Sequence, residues 1–315
     1  MRIAFIQLGR VGDMILCTPA FSAIKSNFPQ AKLYVIAGAG NNSVLDNNPY
    51  IDKVIPYRKS MSGIIRMLSF LLFNKFDYWI DAKDHKSGES ALLAKLARAK
   101  IKIGHNHKSN APFNNSVPSN FQNKELHFTE RVFNALNFLG ISSSNKIPKP
   151  ELFVSDELSN KTKNFYSSLS SKENLLINLS ATSEARIYSA DNWSKVIAAI
   201  DRDKYNIILS FMPNEQRIAQ DLKQIFPAII FANSHSIGEF IALIKHCDLL
   251  ISPDTSAVHI AAAFEKKLIA LFNDYPDNYA KFRTVNPNAT IIMPSGTTNI
   301  NQIPPELIIN EIEKQ

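Results

Sequence analysis

The segment around residue 254 places several residue types that bind phosphorylated ligands at one strand-to-helix junction. In CDLLISPDTSAVHIAAAF an apolar strand runs into Asp254, Thr255 and Ser256 and then directly into a helix, with His259 one turn further on. Hydroxyls, backbone N–H groups and the positive end of a helix dipole suit a diphosphate, and an imidazole there can reach a phosphate oxygen. An alternative of equal weight is that Asp254 or Ser252 simply caps the helix. The two roles can coexist at one turn.

A second junction, LGRVGDMILCTPA, follows the first strand of the chain. Gly9 and Gly12 permit a tight turn there, and Asp13 opens the helix. A carboxylate at that place can take the proton from a hydroxyl as it attacks a substrate. The loop lacks the G-x-G-x-x-G pattern of dinucleotide-binding proteins and the Gly-Lys-Ser/Thr ending of a P-loop. The alternative for Asp13 is an N-cap or an ordinary acidic residue in the first turn of a helix.

Two more junctions in the second half of the chain carry polar side chains. In NLSATSEARIYSADNW, Ser180 and Thr182 can bind phosphate and Arg186 can neutralise the charge of a leaving group. Taken alone, Arg186 is more simply a solvated cation. In FMPNEQRIAQDL, Glu215 lies near a helix start, where it can accept hydrogen bonds from ribose hydroxyls or merely compensate the helix dipole.

Basic side chains in the first half of the chain suit an anionic acceptor. Lys83 and Lys86 flank His85 after the fourth predicted strand, in IDAKDHKSGES, and His127 and Arg131 begin the last helix of this half. For both groups a solvated, charged surface is at least as good an explanation.

The elements that position these residues alternate between short apolar strands and helices. Strands are predicted at 3–8, 32–37, 54–56, 78–81 and 101–103, and, in the second half, at 175–179, 206–210, 228–232, 248–251 and 268–272. This order predicts parallel sheets covered by helices on both faces, with ligands beyond the carboxyl ends of the strands. A helix at 130–139 closed by Gly140 precedes the polar, proline-containing segment 141–152, the predicted linker. We therefore expect two doubly wound, Rossmann-like α/β domains, 1–148 and 149–315, facing across a cleft, with the last helix packing on either of them.

Composition narrows the class of protein. Hydrophobic residues make up 45% and charged residues 20% of 315 residues, which is typical of a soluble globular chain. The net charge of +7 favours an anionic partner, but the basic residues are dispersed and nucleic-acid-binding signatures are missing. No run is long enough to span a bilayer, and the N-terminus lacks a signal-peptide cleavage site, so a cytoplasmic location is expected. The two cysteines, Cys17 and Cys247, are expected in the core.

Two of these segments together resemble glycosyltransferase family 9, the ADP-heptose:lipopolysaccharide heptosyltransferase family. The first is Gly12-Asp13 followed by Thr18-Pro19-Ala20, and the second runs from Asp254-Thr255-Ser256 to His259-Ile260-Ala261-Ala262. The resemblance covers nearly the whole chain. It implies a GT-B fold, with donor binding mainly by the C-terminal domain and inverting transfer that requires neither metal nor cofactor.

The resemblance also assigns roles to residues. It implies that Asp13 is the general base, that Thr255, Ser256 and Arg186 stabilise the departing nucleoside diphosphate, and that Glu215 holds the ribose. The expected donor is ADP-heptose, and the expected acceptor is the lipopolysaccharide inner core, a Kdo-lipid A or heptosylated form. Residues 58–75 can contact the cytoplasmic face of the inner membrane as an amphipathic helix, although an ordinary crossover helix is the favoured interpretation.

Two departures from the family pattern leave the donor open. Arg186 stands where Lys is common, and Ser210-Phe211 replaces the usual Gly-Gly. One alternative is therefore the same family with another nucleotide sugar. Another is a non-catalytic protein that clamps an anionic ligand, which the carboxylate of Asp13 disfavours. An NAD-dependent enzyme is disfavoured by the missing glycine fingerprint.

Overall fold

The computed structural model describes residues 1–106, 112–143, 146–232 and 234–315. The chain divides into two compact units. The first comprises Met1–Phe153 with Ala280–Phe282, and the second comprises Val154–Tyr279 with Arg283–Gln315. Residues 144 and 145 of the predicted linker lie outside the described residues.

The first unit is a parallel sheet wound with helices. Its strands are β1 (Arg2–Gln7), β2 (Lys32–Gly38), β3 (Lys53–Tyr57), β4 (Lys75–Asp81), β5 (Arg98–Gly104) and β6 (Asn115–Ser116). Its helices are α1 (Val11–Asn27), α2 (Met61–Phe73), α3 (Gly88–Leu96) and α4 (Phe128–Leu136). The sheet order is β3-β2-β1-β4-β5-β6, so the chain winds outward from β1 in one direction and from β4 in the other.

The central strands of this sheet are apolar on both faces because helices cover both of them. Ile3 of β1 lies opposite Leu33 of β2 and Tyr78 of β4. Below α2, Phe76 and Trp79 pack into a buried cluster with Met67 and other apolar side chains. The reversal of strand order at β1 and β4 brings the β1–α1 and β4–α3 loops to the same edge of the sheet.

The second unit repeats this architecture. Its strands are β7 (Glu173–Asn178), β8 (Tyr205–Ser210), β9 (Ile230–Phe231), β10 (Leu249–Pro253), β11 (Lys267–Leu271) and β12 (Ala289–Ile292). Its helices are α5 (Asp156–Ser167), α6 (Ala190–Ala199), α7 (Gln216–Ile225), α8 (Ile237–His246), α9 (Ser256–Ala263), α10 (Pro276–Phe282), whose last three residues group with the first unit, and α11 (Pro305–Glu313). The sheet order is β12-β11-β10-β7-β8-β9, and all described strand pairs in both sheets are parallel.

The predicted α/β class, with two doubly wound Rossmann-like units of the GT-B type, is confirmed. The ten predicted strands are present, although β4 and β5 each begin three residues earlier than predicted and β9 is shorter. The short strands β6 and β12 were not predicted. The predicted helix 130–139 is α4 continued by a 3-10 turn, Asn137–Leu139, which ends at Gly140 in the left-handed conformation, φ 76°. The last helix, α11, packs against α6 within the second unit.

In the part of the chain that the structure describes, no helix is long and apolar enough to cross a membrane.

Candidate active site

Three neighbouring strands of the second unit end in a connected group of polar side chains. Asn178, the last residue of β7, donates through its amide nitrogen to Ser252 Oγ (3.0 Å) and to Thr255 Oγ1 (3.3 Å). Ser252 is buried in β10, next to β7 in the sheet. The amide of Asn178 therefore ties the end of β7 to the start of α9, and it fixes the hydroxyl of Thr255 at the first turn of that helix.

The residue that caps α9 differs from the alternative interpretation of this junction. Thr255 is the N-cap, and its hydroxyl accepts the N–H of Ala257 at 3.3 Å, whereas that alternative gave the role to Asp254 or Ser252. Thr255 and Ser256 are both half-buried at the helix N-terminus, where unpaired N–H groups and the helix dipole favour an anion. The predicted phosphate site thus has both the donors and the field that a diphosphate requires.

His259 is deeply buried one turn into α9. Burial, together with the nearby charge of Arg186, lowers its pKa from 6.5 to about 4. Because the protonated form is disfavoured, His259 is a neutral imidazole at pH 7. Any contact of this ring with a ligand is therefore a neutral hydrogen bond rather than an ion pair.

Arg186 and Asp254, which the sequence singled out separately, form an ion pair. Arg186 lies at the end of a 3-10 turn, Glu184–Arg186, and its guanidinium donates to the backbone carbonyl of Asp254 (3.0 Å) and approaches Asp254 Oδ2 (3.1 Å). Asn278 donates to the same carboxylate oxygen at 3.2 Å. Burial raises the pKa of Asp254, and Arg186 and Asn278 oppose that effect. The pair holds a cation directly beside the N-terminus of α9.

Glu215 is buried at the carboxyl end of β8, the strand on the other side of β7. Its Oε2 accepts a hydrogen bond from Ser180 Oγ at 2.9 Å, and the same hydroxyl accepts the N–H of Met212 at 2.6 Å. The carboxylate is thereby fixed on the same edge of the sheet as Asn178 and Thr255. Thr182, predicted with Ser180 to bind phosphate, is exposed in the loop that follows β7.

In the first unit, Asp13 lies in the first turn of α1 with its carboxylate half-exposed. Its Oδ2 accepts the N–H of the N-cap residue, Arg10, at 3.0 Å, so the alternative role of a first-turn acid is also present. A Cβ atom on Gly9 would overlap this carboxylate. Asn41 donates to the carbonyls of Gln7 (3.2 Å) and Gly9 (2.8 Å), and the Gln7 side chain accepts the N–H of Gly9. The loop is held from two sides, which fixes the orientation of Asp13.

Lys83 and Lys86 line a cavity of about 370 Å³ beyond the carboxyl end of β4. His85, Lys95 and His105 contribute to the same walls. The ammonium group of Lys83 donates to Ser87 Oγ at 3.3 Å, and Lys86 is exposed. This concentration of basic and imidazole groups suits an anionic ligand.

Arg131, predicted with these lysines to bind the acceptor, has a structural role instead. It is only 3% exposed, and it donates to Asp84 (2.8 Å), to Asn120 and to the carbonyls of Leu126 and Lys124. Lys281 Nζ lies 3.7 Å from the second oxygen of Asp84. Burial raises the pKa of Asp84, but interactions with His85, Lys281 and Arg131 outweigh that effect and lower the pKa to about 2. Arg131 is therefore a buried partner of a carboxylate and not a surface cation.

Within residues 1–106, 112–143, 146–232 and 234–315, the His, Cys, Asp and Glu side chains form no group of three or more that could hold a metal ion. Cys17 and Cys247 are both buried and unpaired, as expected for core residues.

Several residues that shape these sites were missed by the sequence-based reasoning. Asn178 and Gln7 are the last residues of their strands, whereas the predicted site residues lie in the loops that follow. Asn41 follows β2 and was detectable by the same strand-end rule. Asp84 was hidden within the charged sequence IDAKDHKSGES, where nothing local distinguishes a buried carboxylate from an exposed one.

Comparison with known proteins identifies the family. Residues 64–302 match the model of glycosyltransferase family 9 (heptosyltransferase). Lipopolysaccharide heptosyltransferase 3 of Escherichia coli K12 is 25% identical over 276 residues, which cover 83% of this chain and 79% of that protein. Lipopolysaccharide heptosyltransferase 1 of Campylobacter coli is 25% identical over 335 aligned residues, covering 100% of this chain and 96% of that protein.

Solved structures agree at the level of the fold. A family 9 glycosyltransferase from Veillonella parvula superposes with a TM-score of 0.85 at 20% identity, covering 99% of this chain and 96% of that one. E. coli heptosyltransferase WaaC with ADP superposes with a TM-score of 0.79 at 17% identity, covering 100% and 99%. The family match extends over most of the chain and includes the strand ends that carry Asn178, Glu215 and Thr255. This chain belongs to glycosyltransferase family 9, the heptosyltransferase family, and is a glycosyltransferase.

Proposed function

We propose that this protein transfers a heptose from ADP-heptose to a lipopolysaccharide inner-core acceptor, with inversion at the anomeric carbon and without a metal ion or cofactor. The observation that carries the proposal is the hydrogen-bonded group at the ends of β7, β8 and β10, which combines a helix N-terminus with a buried carboxylate. The relatives named above are lipopolysaccharide heptosyltransferases, and one superposed structure contains ADP.

The second unit binds the donor in this proposal. The diphosphate lies at the N-terminus of α9, where the N–H groups of the first turn and the hydroxyls of Thr255 and Ser256 donate to its oxygens. Glu215 accepts hydrogen bonds from the ribose hydroxyls. Charge that develops on the leaving ADP is stabilised chiefly by these fixed dipoles and to a smaller extent by Arg186, whose charge is partly compensated by Asp254, so a metal is unnecessary for this step. His259 and Thr182 contribute neutral hydrogen bonds.

The first unit supplies the base and binds the acceptor. Asp13 takes the proton from the acceptor hydroxyl while that oxygen attacks the anomeric carbon from the face opposite the diphosphate. The carbon–oxygen bond to ADP breaks as the new glycosidic bond forms, and the proton remains on Asp13 until it is released to water. Phosphates and carboxylates of the acceptor bind in the basic cavity of Lys83 and Lys86, beside His85, Lys95 and His105. The site of this reaction is proposed to be the cytoplasm.

Nucleotide binding provides the first test. Because Ser210 and Phe211 replace the family's usual glycines, the nucleobase of the donor must be determined directly. The thermal midpoint of the purified protein is measured with ADP, UDP, GDP and CMP, and we expect ADP alone to raise it. Stabilisation by another nucleotide and not by ADP would reject ADP-heptose while leaving the family assignment intact. Glu215→Gln should weaken ADP binding about tenfold, because a charged acceptor of the ribose is lost.

Turnover provides the second test. With ADP-heptose and a Kdo-lipid A acceptor, Asp13→Asn should reduce kcat by about 100-fold or more while ADP affinity stays unchanged. The matched control is Asp156→Asn, which removes an exposed first-turn acid from α5. If Asp13→Asn retained the activity of the control, Asp13 would serve only as a helix cap.

A further inference from the structure

Helix α2 is apolar on two faces, only one of which packs against the protein. Met67 and Leu71 face the sheet and lie in the buried cluster with Phe76 and Trp79. A second stripe, about 100° wide at the normal helical spacing, faces solvent. It consists of Met61, Ile64, Ile65, Leu68 and Leu72, and Phe73 beyond it is 81% exposed. A crossover helix on a solvated surface normally carries polar side chains in these positions.

Exposed apolar side chains also occur on the next helix. Helix α3 contacts α2 and exposes Leu92 and Leu96, which lie one turn apart on one side. A group of exposed apolar side chains on two contacting helices is typical of a binding surface, whereas the apolar residues of an ordinary exterior are scattered singly. We call these exposed residues of α2 and α3 the apolar face.

Cations border the apolar face, and acidic residues are scarce there. Residues 58–75 contain Arg58, Lys59, Arg66 and Lys75 and no Asp or Glu. Arg98 donates to the carbonyl of Leu72 at 2.8 Å, which places its positive charge at the exposed end of α2. Glu89 of α3 pairs with Lys59 at 3.0 Å. The net field of this border is positive.

We propose that the apolar face docks on the surface of an anionic lipid bilayer. Exposed Leu, Ile, Met and Phe side chains enter the boundary between headgroups and acyl chains, and the surrounding Arg and Lys side chains bind lipid phosphates. A second copy of the chain is a poorer occupant, because a self-complementary contact would bring the like-charged borders together.

The position of the face relative to the basic cavity suits a lipid-anchored acceptor, an argument that rests on the proposed function. Leu92 is one of the residues of the apolar face and also lines the cavity that contains Lys83 and Lys86. A bilayer in contact with the face would present the anionic sugars of such an acceptor next to the cavity while its acyl chains stayed in the membrane. Vesicle binding itself needs no acceptor, so it tests the docking surface separately from the transfer reaction.

The experiment is cosedimentation of the full chain with vesicles, either phosphatidylcholine with 30% phosphatidylglycerol or phosphatidylcholine alone. We expect binding to the anionic vesicles that weakens as salt is raised. Leu68→Ser with Leu72→Ser should reduce the partition coefficient about tenfold or more, because two side chains no longer enter the lipid. Arg66→Gln with Lys75→Gln should abolish most of the preference for anionic vesicles.

A matched control separates a docking surface from general stickiness. Ile225→Ser with Leu307→Ser removes side chains of the second unit whose exposures, 59% and 44%, match those of Leu72 and Leu68, 60% and 44%. The control should bind vesicles as the wild type does. The proposal would be overturned if the Leu68/Leu72 variant and the Ile225/Leu307 control lost vesicle binding equally, or if the wild type did not bind vesicles.

Sedimentation velocity tests whether a second copy of the chain, rather than a bilayer, covers the apolar face. If the wild type were a dimer that Leu68→Ser with Leu72→Ser converted to monomers, the face would be a subunit interface and the lipid proposal would be wrong. The thermal midpoints of the Leu68/Leu72 variant and of the Ile225/Leu307 control should stay within a few degrees of the wild type, because the four replaced side chains are exposed.

Discussion

The buried imidazole of His259 makes the second unit sensitive to pH. Its pKa is lowered to about 4 in the folded chain from an ordinary value of 6.5, because burial and the charge of Arg186 disfavour the protonated form. Between pH 6.5 and pH 4 the unfolded chain therefore binds a proton that the folded chain does not. Stability rises with pH where the unfolded state binds more protons, so His259 must cost stability as the pH falls through this interval.

The size of the effect follows from the two pKa values. A difference of about 2.5 pH units corresponds to about 3 kcal/mol at 1.36 kcal/mol per unit. About 2 kcal/mol of that is already lost at pH 5, because the unfolded histidine is almost fully protonated there while the folded one is still mostly neutral. Above pH 7.5 both states hold a neutral imidazole, and the contribution to the pH dependence vanishes.

Urea unfolding at pH 7.5, 6, 5 and 4.5 measures this loss. Trp79 belongs to the first unit and Trp193 to the second, and both are fully buried. In a Trp79→Phe background, the fluorescence of Trp193 reports the second unit alone. His259→Gln should flatten the pH dependence by about 2 kcal/mol between pH 7.5 and 5, whereas His235→Gln, at an exposed position, should leave it unchanged. Identical pH profiles for wild type and His259→Gln would refute the reasoning.

Two further predictions concern the first unit. Asp84→Asn leaves Arg131 and Lys281 buried without their carboxylate and should reduce the free energy of unfolding by about 3 kcal/mol at pH 7, measured by Trp79 fluorescence in a Trp193→Phe background. Because the pKa of Asp84 is lowered from 3.8 to about 2, this difference should persist above pH 4 and narrow as the pH falls toward 2. The control Asp77→Asn, whose partner Lys100 is exposed, should reduce the free energy of unfolding by about 1 kcal/mol or less. An equal loss in both variants would contradict the structural role of Asp84, Arg131 and Lys281. Gly9→Ala should displace the Asp13 carboxylate and lower kcat about 10- to 100-fold without weakening ADP binding. The control Gly40→Ala, whose Cβ would meet nothing within 4 Å, should keep full activity. Equal activity of the two variants would show that the position of the Asp13 carboxylate is unimportant for transfer.

The fold was largely predictable because its strands are continuous apolar runs. A parallel strand covered on both faces must be apolar at successive positions, and β1, β2, β7 and β10 each contain an uninterrupted apolar run of three to five residues. The strands β6 and β12 have two and four residues, which is too short for a pattern to stand out from a loop. Ala289–Ile292 is assigned to the sheet by its pairing with β11, a contact that is not local in sequence.

The candidate site was predictable only where its residues act locally. Thr255 and Asp13 lie at helix starts, and their positions follow from strand-to-helix junctions that the local sequence pattern indicates. Arg131 illustrates what the sequence does not determine. Its carboxylate partner is 47 residues away, and burial turns a cation that seemed available to a ligand into part of the core. Whether a charged side chain is exposed depends on such distant partners, which no local pattern specifies.

The same principle changes the division of roles at the start of α9. Arg186 and Asp254 are 68 residues apart, and the sequence suggested that each acts on the ligand directly. Because they are paired, much of the positive charge of Arg186 is already compensated by a buried carboxylate. In the proposed reaction the leaving diphosphate therefore depends chiefly on the fixed N–H groups of α9 and on the hydroxyls of Thr255 and Ser256, whose dipoles need no reorganisation as charge develops. The guanidinium contributes mainly by holding the Asp254 backbone beside that helix end, a task that requires two donors in a rigid fork and explains why Arg can stand where a single ammonium group is common in the family.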